Sequence, residues 1–280
     1  MPDPGVGTIR LEPTAALVMR WAMPLYRAGI ARRFVESLDL AAGRDLYDRC
    51  SAVCDWYGEV ILNRKHCIGS LIRRQLAAMG EDARIAILAA GRSPLGLELA
   101  ADGSLPAVSI VEVDIAGMEE KAALYRAIDP VSSRRIRCLT GDITAPGPRE
   151  LLGHEPAPSI VLLEGISYYL PDQNLAEILS AFRSADLSNR FILEYLLPCD
   201  AVRPERRSIP REIFRIIRES AGLAAIRVYA PDEVDRIVEA SGGAVDVHYR
   251  MNCMELLRTG ENRYFPGEAD GWIACCTGRI

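Results

Sequence analysis

Acids and small residues with a chemical use cluster in four segments of the middle of the chain. They are Ala89-Ala90-Gly91-Arg92-Ser93, Glu112-Val113-Asp114, Thr140-Gly141-Asp142-Ile143 and Glu164-Gly165-Ile166-Ser167-Tyr168-Tyr169. The small residues of the first would let a ligand come close to the backbone, although a tight strand-to-helix turn needs the same residues. The segment is not G-x-G-x-x-G and has no P-loop lysine. Asp114 follows Gly91 by 23 residues. A carboxylate there can accept both hydroxyl protons of a ribose diol, or it is a solvated acid at a strand end. Asp142 can accept from an exocyclic amine such as adenine N6, with Ile143 against the ring, or it closes a plain Asp turn. Glu164, Tyr168 and Tyr169 would put a carboxylate and two aromatic faces at the reacting end of a bound nucleoside.

These segments need strands to carry them, and the chain supplies short apolar runs at the right places. Ile85–Leu88, Ala107–Val113, Arg135–Leu139, Ser159–Leu163 and Phe191–Leu197 read as buried strands. Helical patterns at Pro94–Ala101, Gly117–Ile128 and Leu175–Ala185 alternate with them. Alternation of this kind implies a parallel sheet covered on both faces. Ligands then bind at the carboxyl ends of the strands, which is where all four segments fall. Two further strands, Ala244–His248 and Trp272–Thr277, complete a doubly wound, Rossmann-like α/β fold with seven strands, the last running antiparallel.

Residues 1–80 show helical spacing through Ala15–Val18 and Trp21 and again from Leu46 to Ile61, with Gly29, Gly43 and Gly69 as breaks. They are expected to form a helical cap on the domain of residues 81–280. Residues 204–224, Arg-rich with Ile213, Phe214, Ile216 and Ile217 at helical spacing, read as an inserted lid. A last helix opens at Pro231-Asp232-Glu233.

Composition narrows the partners. A net charge of −5 over 280 residues argues against nucleic acid, and no apolar run is long enough to span a membrane. Met1-Pro2-Asp3-Pro4-Gly5 has no signal-peptide character, so a cytoplasmic location is expected. Of the 33 basic residues only Lys65 and Lys121 are lysines. The eight cysteines include no C-x-x-C pair and the three histidines lie far apart, so neither metal nor disulfide is expected. Cys275-Cys276 reads as part of a core strand. The expected partner is a small molecule, with a homodimer as the only further assembly.

Taken together, the four segments resemble class I S-adenosylmethionine (SAM) methyltransferases. Their order and wording are most similar to the leucine carboxyl methyltransferase-like family, which includes small-molecule carboxyl and phenol O-methyltransferases of polyketide pathways. The resemblance covers about residues 60–200, and Glu164-Gly165…Tyr169-Leu170 is its most specific piece. It implies that SAM is the cofactor, that Asp114 holds the ribose, and that Asp142 with Ile143 holds the adenine. It places Glu164 beside the methionyl arm and matches Arg64 to the arginine that grips the SAM carboxylate. Ala89 and Gly91 fall in the family's glycine motif, where Ala89 replaces the first glycine and Ser93-Pro94 replaces Asp-Thr.

The resemblance implies O-methylation in secondary metabolism. Positioning is the main catalytic device for such a transfer. One of Tyr168 and Tyr169 would stabilise the sulfonium through a ring face, and the other is expected to pack in the core. A carboxylate acceptor needs no base, whereas a phenol would want one, and His66 and His154 are the nearest candidates. Two other readings fit the same residues. One is a SAM cyclase of the azetidine-2-carboxylate synthase type, which releases methylthioadenosine; the other is a SAM-binding module without catalysis.

Overall fold

Alternate residues of each central strand enter different cores. Ile85 and Ile87, Ile110, Ile160 and Leu162, and Ile192 pack on one side of the sheet. Ala86 and Leu88, Val111 and Val113, Val161 and Leu163, and Leu193 pack on the other. Both faces are thus apolar, as a parallel sheet covered by helices requires. The computed structural model describes residues 8–79, 83–145 and 159–280.

A small parallel ladder joins β1 (Ile9–Arg10) to β2 (Leu38–Asp39). The main sheet contains β3 (Arg84–Leu88), β4 (Ser109–Asp114), β5 (Ile136–Thr140), β6 (Ser159–Leu163), β7 (Arg190–Leu196), β8 (Ala244–Arg250) and β9 (Ile273–Arg279). Its order is β5-β4-β3-β6-β7-β9-β8. The first five of these strands pair in parallel, and β9 runs antiparallel to both β7 and β8. Strand order reverses beside β3, which places the ligand crevice of such a sheet over the carboxyl ends of β3 and β6. The expected seven-stranded, Rossmann-like architecture is present.

Before the sheet come α1 (Pro13–Ala22), α2 (Gly29–Glu36), α3 (Arg44–Val53) and α4 (Tyr57–Met79). One apolar cluster runs from Ile9 through these helices to the sheet residues of that side. Two expectations for this region are corrected. It carries the two short strands β1 and β2, and Gly69 does not break a helix. Gly69 lies inside α4, where its bare Cα leaves room for the Arg73 guanidinium, which bonds the Gly69 carbonyl at 3.2 Å.

Within the sheet domain, α5 (Leu95–Ala101), α6 (Met118–Ile128), α7 (Asp172–Ala181) and α9 (Pro231–Ala240) follow the expected pattern. Helix α7 starts three residues before the expected Leu175, directly after Pro171. Within the expected lid, α8 (Ser208–Ser220) packs on α1 and α3 and buries Ile213, Phe214 and Ile216. Helix α10 (Met251–Thr259), which packs on α4, was not expected. Cys275 and Cys276 are buried in β9 on opposite sides of the sheet, and all eight cysteines are free thiols. Among the described residues no helix is long and apolar enough to cross a membrane, and no group of His, Cys, Asp or Glu could hold a metal ion.

Candidate functional site

Beyond Leu88 the chain turns through Ala89 (φ +55°) and Gly91 (φ +51°), both left-handed. Ala89 therefore holds a backbone that glycine adopts freely, at a steric cost. Asp114, at the end of β4, ties the turn down. Its Oδ2 accepts the Gly91 N–H at 2.7 Å and its Oδ1 accepts the Ile115 N–H at 2.8 Å. A Cβ on Gly91 would meet nothing within 4 Å, so the outer side of the turn is open.

Behind the turn lies a polar cluster that the sequence reading missed. Glu112 is fully buried and pairs with buried Lys121 at 2.8 Å. Tyr125 Oη donates to Glu112, and its geometry also reaches the Ser93 carbonyl at 3.1 Å. Lys121 Nζ donates to the Ala90 carbonyl at 3.4 Å. Both ends of the turn are thus held from the core side. Burial and the Glu112 carboxylate push the Tyr125 hydroxyl well above its ordinary range, so it is a donor at any working pH.

A cavity of about 210 Å³ lies over the turn, lined by Ala89, Gly91, Arg64, Lys65, Glu164 and both tyrosines. Its floor is formed by Arg64, Lys65 and Glu164, backed by Glu194 in an ionic quartet. Arg64, 4% exposed, reaches Glu164 at 3.2 Å through Nη2 and Glu194 at 3.6 Å through Nη1. Lys65 Nζ donates to Glu164 at 3.0 Å. Burial opposes the charge on Glu164, but Lys65 and Arg64 prevail and hold its carboxyl below the usual glutamate value. On Glu194 burial prevails over Arg64, and its carboxyl is raised. Glu194 Oε2 also accepts the Gly165 N–H at 2.6 Å. The sequence reading missed Glu194 too. Its signal was a lone acid in the apolar run Phe191–Leu197, on the side of β7 shared by Ile192 and Leu196.

Tyr168 and Tyr169 pack edge to face, with ring centroids 4.6 Å apart. Both line the cavity, where one had been expected in the core. Burial first, with the Glu194 charge adding to it, raises both phenols, Tyr168 well above its ordinary range. Neither is a base. Past the tyrosines the cavity meets an apolar chamber of about 50 Å³ walled by Trp21, Tyr57, Phe214, Ile217 and Ile226. On its other side, past Lys65, Ser93 and Glu164, it meets a groove of about 320 Å³ that includes Tyr26, His66 and Glu98.

The Asp142 carboxylate is exposed and accepts from the Thr144 N–H at 2.8 Å and hydroxyl at 2.7 Å, bonds that lower its pKa. Ile143 is buried in the core with Val113 and offers no open face. Ile115, beside Asp114 and 73% exposed, is the apolar side chain that stands free there. Neither Asp114, Asp142 nor Ile143 lines the 210 Å³ cavity. His154 lies outside the described residues.

No protein-family model matches the chain, and no curated protein does. Solved structures do. A candidate methyltransferase from Thermobifida fusca aligns over 96% of this chain and 95% of its own, with a TM-score of 0.60 and 18% identity. A DUF574 family protein from Streptomyces avermitilis aligns over 85% of this chain and 90% of its own (TM-score 0.58, 11% identity). Geranyl diphosphate C-methyltransferase from Streptomyces coelicolor A3(2), in complex with Mg²⁺, geranyl diphosphate and S-adenosyl-L-homocysteine, aligns over 82% and 87% (TM-score 0.50, 11% identity). At these identities the likeness is one of fold, and the chain shares the Rossmann-like architecture of these proteins.

Proposed function

We propose that this chain is a SAM-dependent methyltransferase acting on a small molecule, most simply at oxygen. The carrying observation is the cavity at the strand-order switch, with an open glycine turn on one side, two aromatic faces on another and an ionic floor. The neighbouring structures with bound SAM or S-adenosyl-L-homocysteine share that architecture. The residues present fit the cofactor. Asp114 keeps acceptor capacity beyond its two backbone bonds for ribose hydroxyls, and the turn leaves room for a close approach. Bound there, SAM supplies a methyl group activated by a sulfonium.

The chain's own residues position and desolvate. A ring face of Tyr168 or Tyr169 stabilises a nearby cation by about 0.5–2 kcal/mol. Arg64, fixed by two glutamates, keeps the floor rigid. In this reading the helices before residue 80 cap the cavity and α8 is its lid. The described residues of the apolar chamber include no base, since burial keeps the hydroxyls of Tyr57, Tyr168 and Tyr169 protonated. That favours an acceptor that arrives ionised, such as a carboxylate.

The small size of the chamber favours a second reading. At about 50 Å³ it falls far short of the roughly 300 Å³ at which ligand pockets begin. Closure of SAM on itself, with release of methylthioadenosine, needs no acceptor room. Incubating the protein with SAM, with and without a small-molecule extract, separates the two. S-adenosylhomocysteine formed only with extract supports methyl transfer, and methylthioadenosine formed from SAM alone supports cyclisation. Absence of SAM binding in calorimetry would overturn both.

A further inference from the structure

The groove beside the central cavity has walls of two kinds. One is a single face of α4, with His66, Gly69, Ser70 and Arg73 at helical spacing. The other is Leu95 and Glu98 of α5, with buried Tyr26 beside them. Lys65, Ser93 and Glu164 line both groove and cavity, so the two spaces are continuous.

Its charges are settled except for one. Arg73 is bonded to Asp102 at 3.0 Å and to the Gly69 carbonyl. Lys65 spends one of its three donors on Glu164. Burial, Arg258 and Arg73 lower the pKa of His66, which is neutral at pH 7. The Glu98 carboxylate makes no hydrogen bond or ion pair with any described residue, although the residue is partly buried. A carboxylate withdrawn from water without a partner is costly, and a cation in the groove removes that cost.

We infer that the groove receives the amino-acid end of the nucleoside ligand, with Glu98 as counter-ion to its α-ammonium and Lys65 meeting its carboxylate. This rests on the cofactor reading above and extends it to residues that the family resemblance does not assign. With the nucleoside on the Gly91 turn and the sulfur beside Tyr168 and Tyr169, the arm leads past Glu164 into the groove. Arg64, which the resemblance matches to the carboxylate, is already held by Glu164 and Glu194. Lys65, at the mouth, has donors to spare.

Calorimetry on wild type and Glu98→Gln with two ligands tests this. SAM carries the amino-acid end, and methylthioadenosine lacks it while keeping adenine and ribose. A charge-assisted hydrogen bond corresponds to about tenfold or more in affinity. Glu98→Gln should therefore weaken SAM about tenfold or more and leave methylthioadenosine unchanged. Equal SAM affinity in the two proteins, or an equal loss for both ligands, overturns the inference while leaving the cofactor reading standing. Failure of wild type to bind either ligand removes the cofactor reading itself, and this inference with it.

Discussion

Lys121 Nζ lies 2.8 Å from Glu112 Oε2, and both side chains are sealed from solvent beneath the cavity turn. A Cβ on Gly96 would collide with that carboxylate, so the glycine leaves the space that the Glu112 side chain occupies against α5. Removing one partner of a buried pair strands a charge, at a cost of about 3–5 kcal/mol. Lys121→Met should accordingly lower the urea midpoint sharply. The double variant Glu112→Gln/Lys121→Met should recover most of the loss, because no charge is left unpaired. If the double variant is as unstable as the single one, the pair is not what holds this region.

Asp114 fastens the turn through the Gly91 N–H and is the acid nearest to it on β4. In Asp114→Asn an amide oxygen can still serve Gly91, but a donor replaces one acceptor and the charge is gone. Loss of hydrogen bonds to a charged group corresponds to about ten- to a hundredfold in affinity. SAM and methylthioadenosine both carry the ribose, so both should weaken by that factor. A loss confined to SAM would move Asp114 from the ribose to the amino-acid end.

Ala89 holds a left-handed backbone at φ +55°, which costs an L-residue about 1–2 kcal/mol. Glycine removes that cost but gives up about 0.5–1 kcal/mol through its freer unfolded chain. Ala89→Gly should thus be neutral to about 1 kcal/mol more stable in urea denaturation, unlike most substitutions at a functional turn. A clear loss of stability would show that the alanine methyl makes packing contacts worth more than the strain.

The sheet was legible in the sequence because a strand buried on both faces is a short apolar run, and five such runs occur in order. Turn and carboxylate positions followed from the strand ends. Glu112, Lys121 and Glu194 were not legible as partners, since their pairing depends on how α4 and α6 cross the sheet, which spacing along the chain does not encode. Gly69 misled for a related reason. A glycine reads as a helix break until the side chain that needs its space, here Arg73, is seen beside it. Ile143 packs among its neighbours in the second core, and Ile115 is the exposed apolar side chain beside Asp114.

Glu98 also makes a pH prediction. Burial raises its pKa above the ordinary 4.5, against the opposing pull of Arg73 and Lys65 from α4. Tyr26 and Glu164 also border the groove; the Tyr26 hydroxyl is kept protonated by burial, and the Glu164 carboxylate is ionised. Between 4.5 and the raised value the native protein keeps a proton that the unfolded chain has released. Stability contributed by this site then falls as pH rises through that window and stays low above it. Glu98→Gln does not titrate there, so it should match wild type in urea near pH 4 and exceed it at pH 7.5. Saturating SAM should reverse the order at pH 7.5, because ligand stabilises each protein according to its affinity and wild type binds more tightly. If the variant is the less stable of the two at pH 7.5 without ligand, Glu98 already has a cationic partner in the free protein and the groove has no charge to offer.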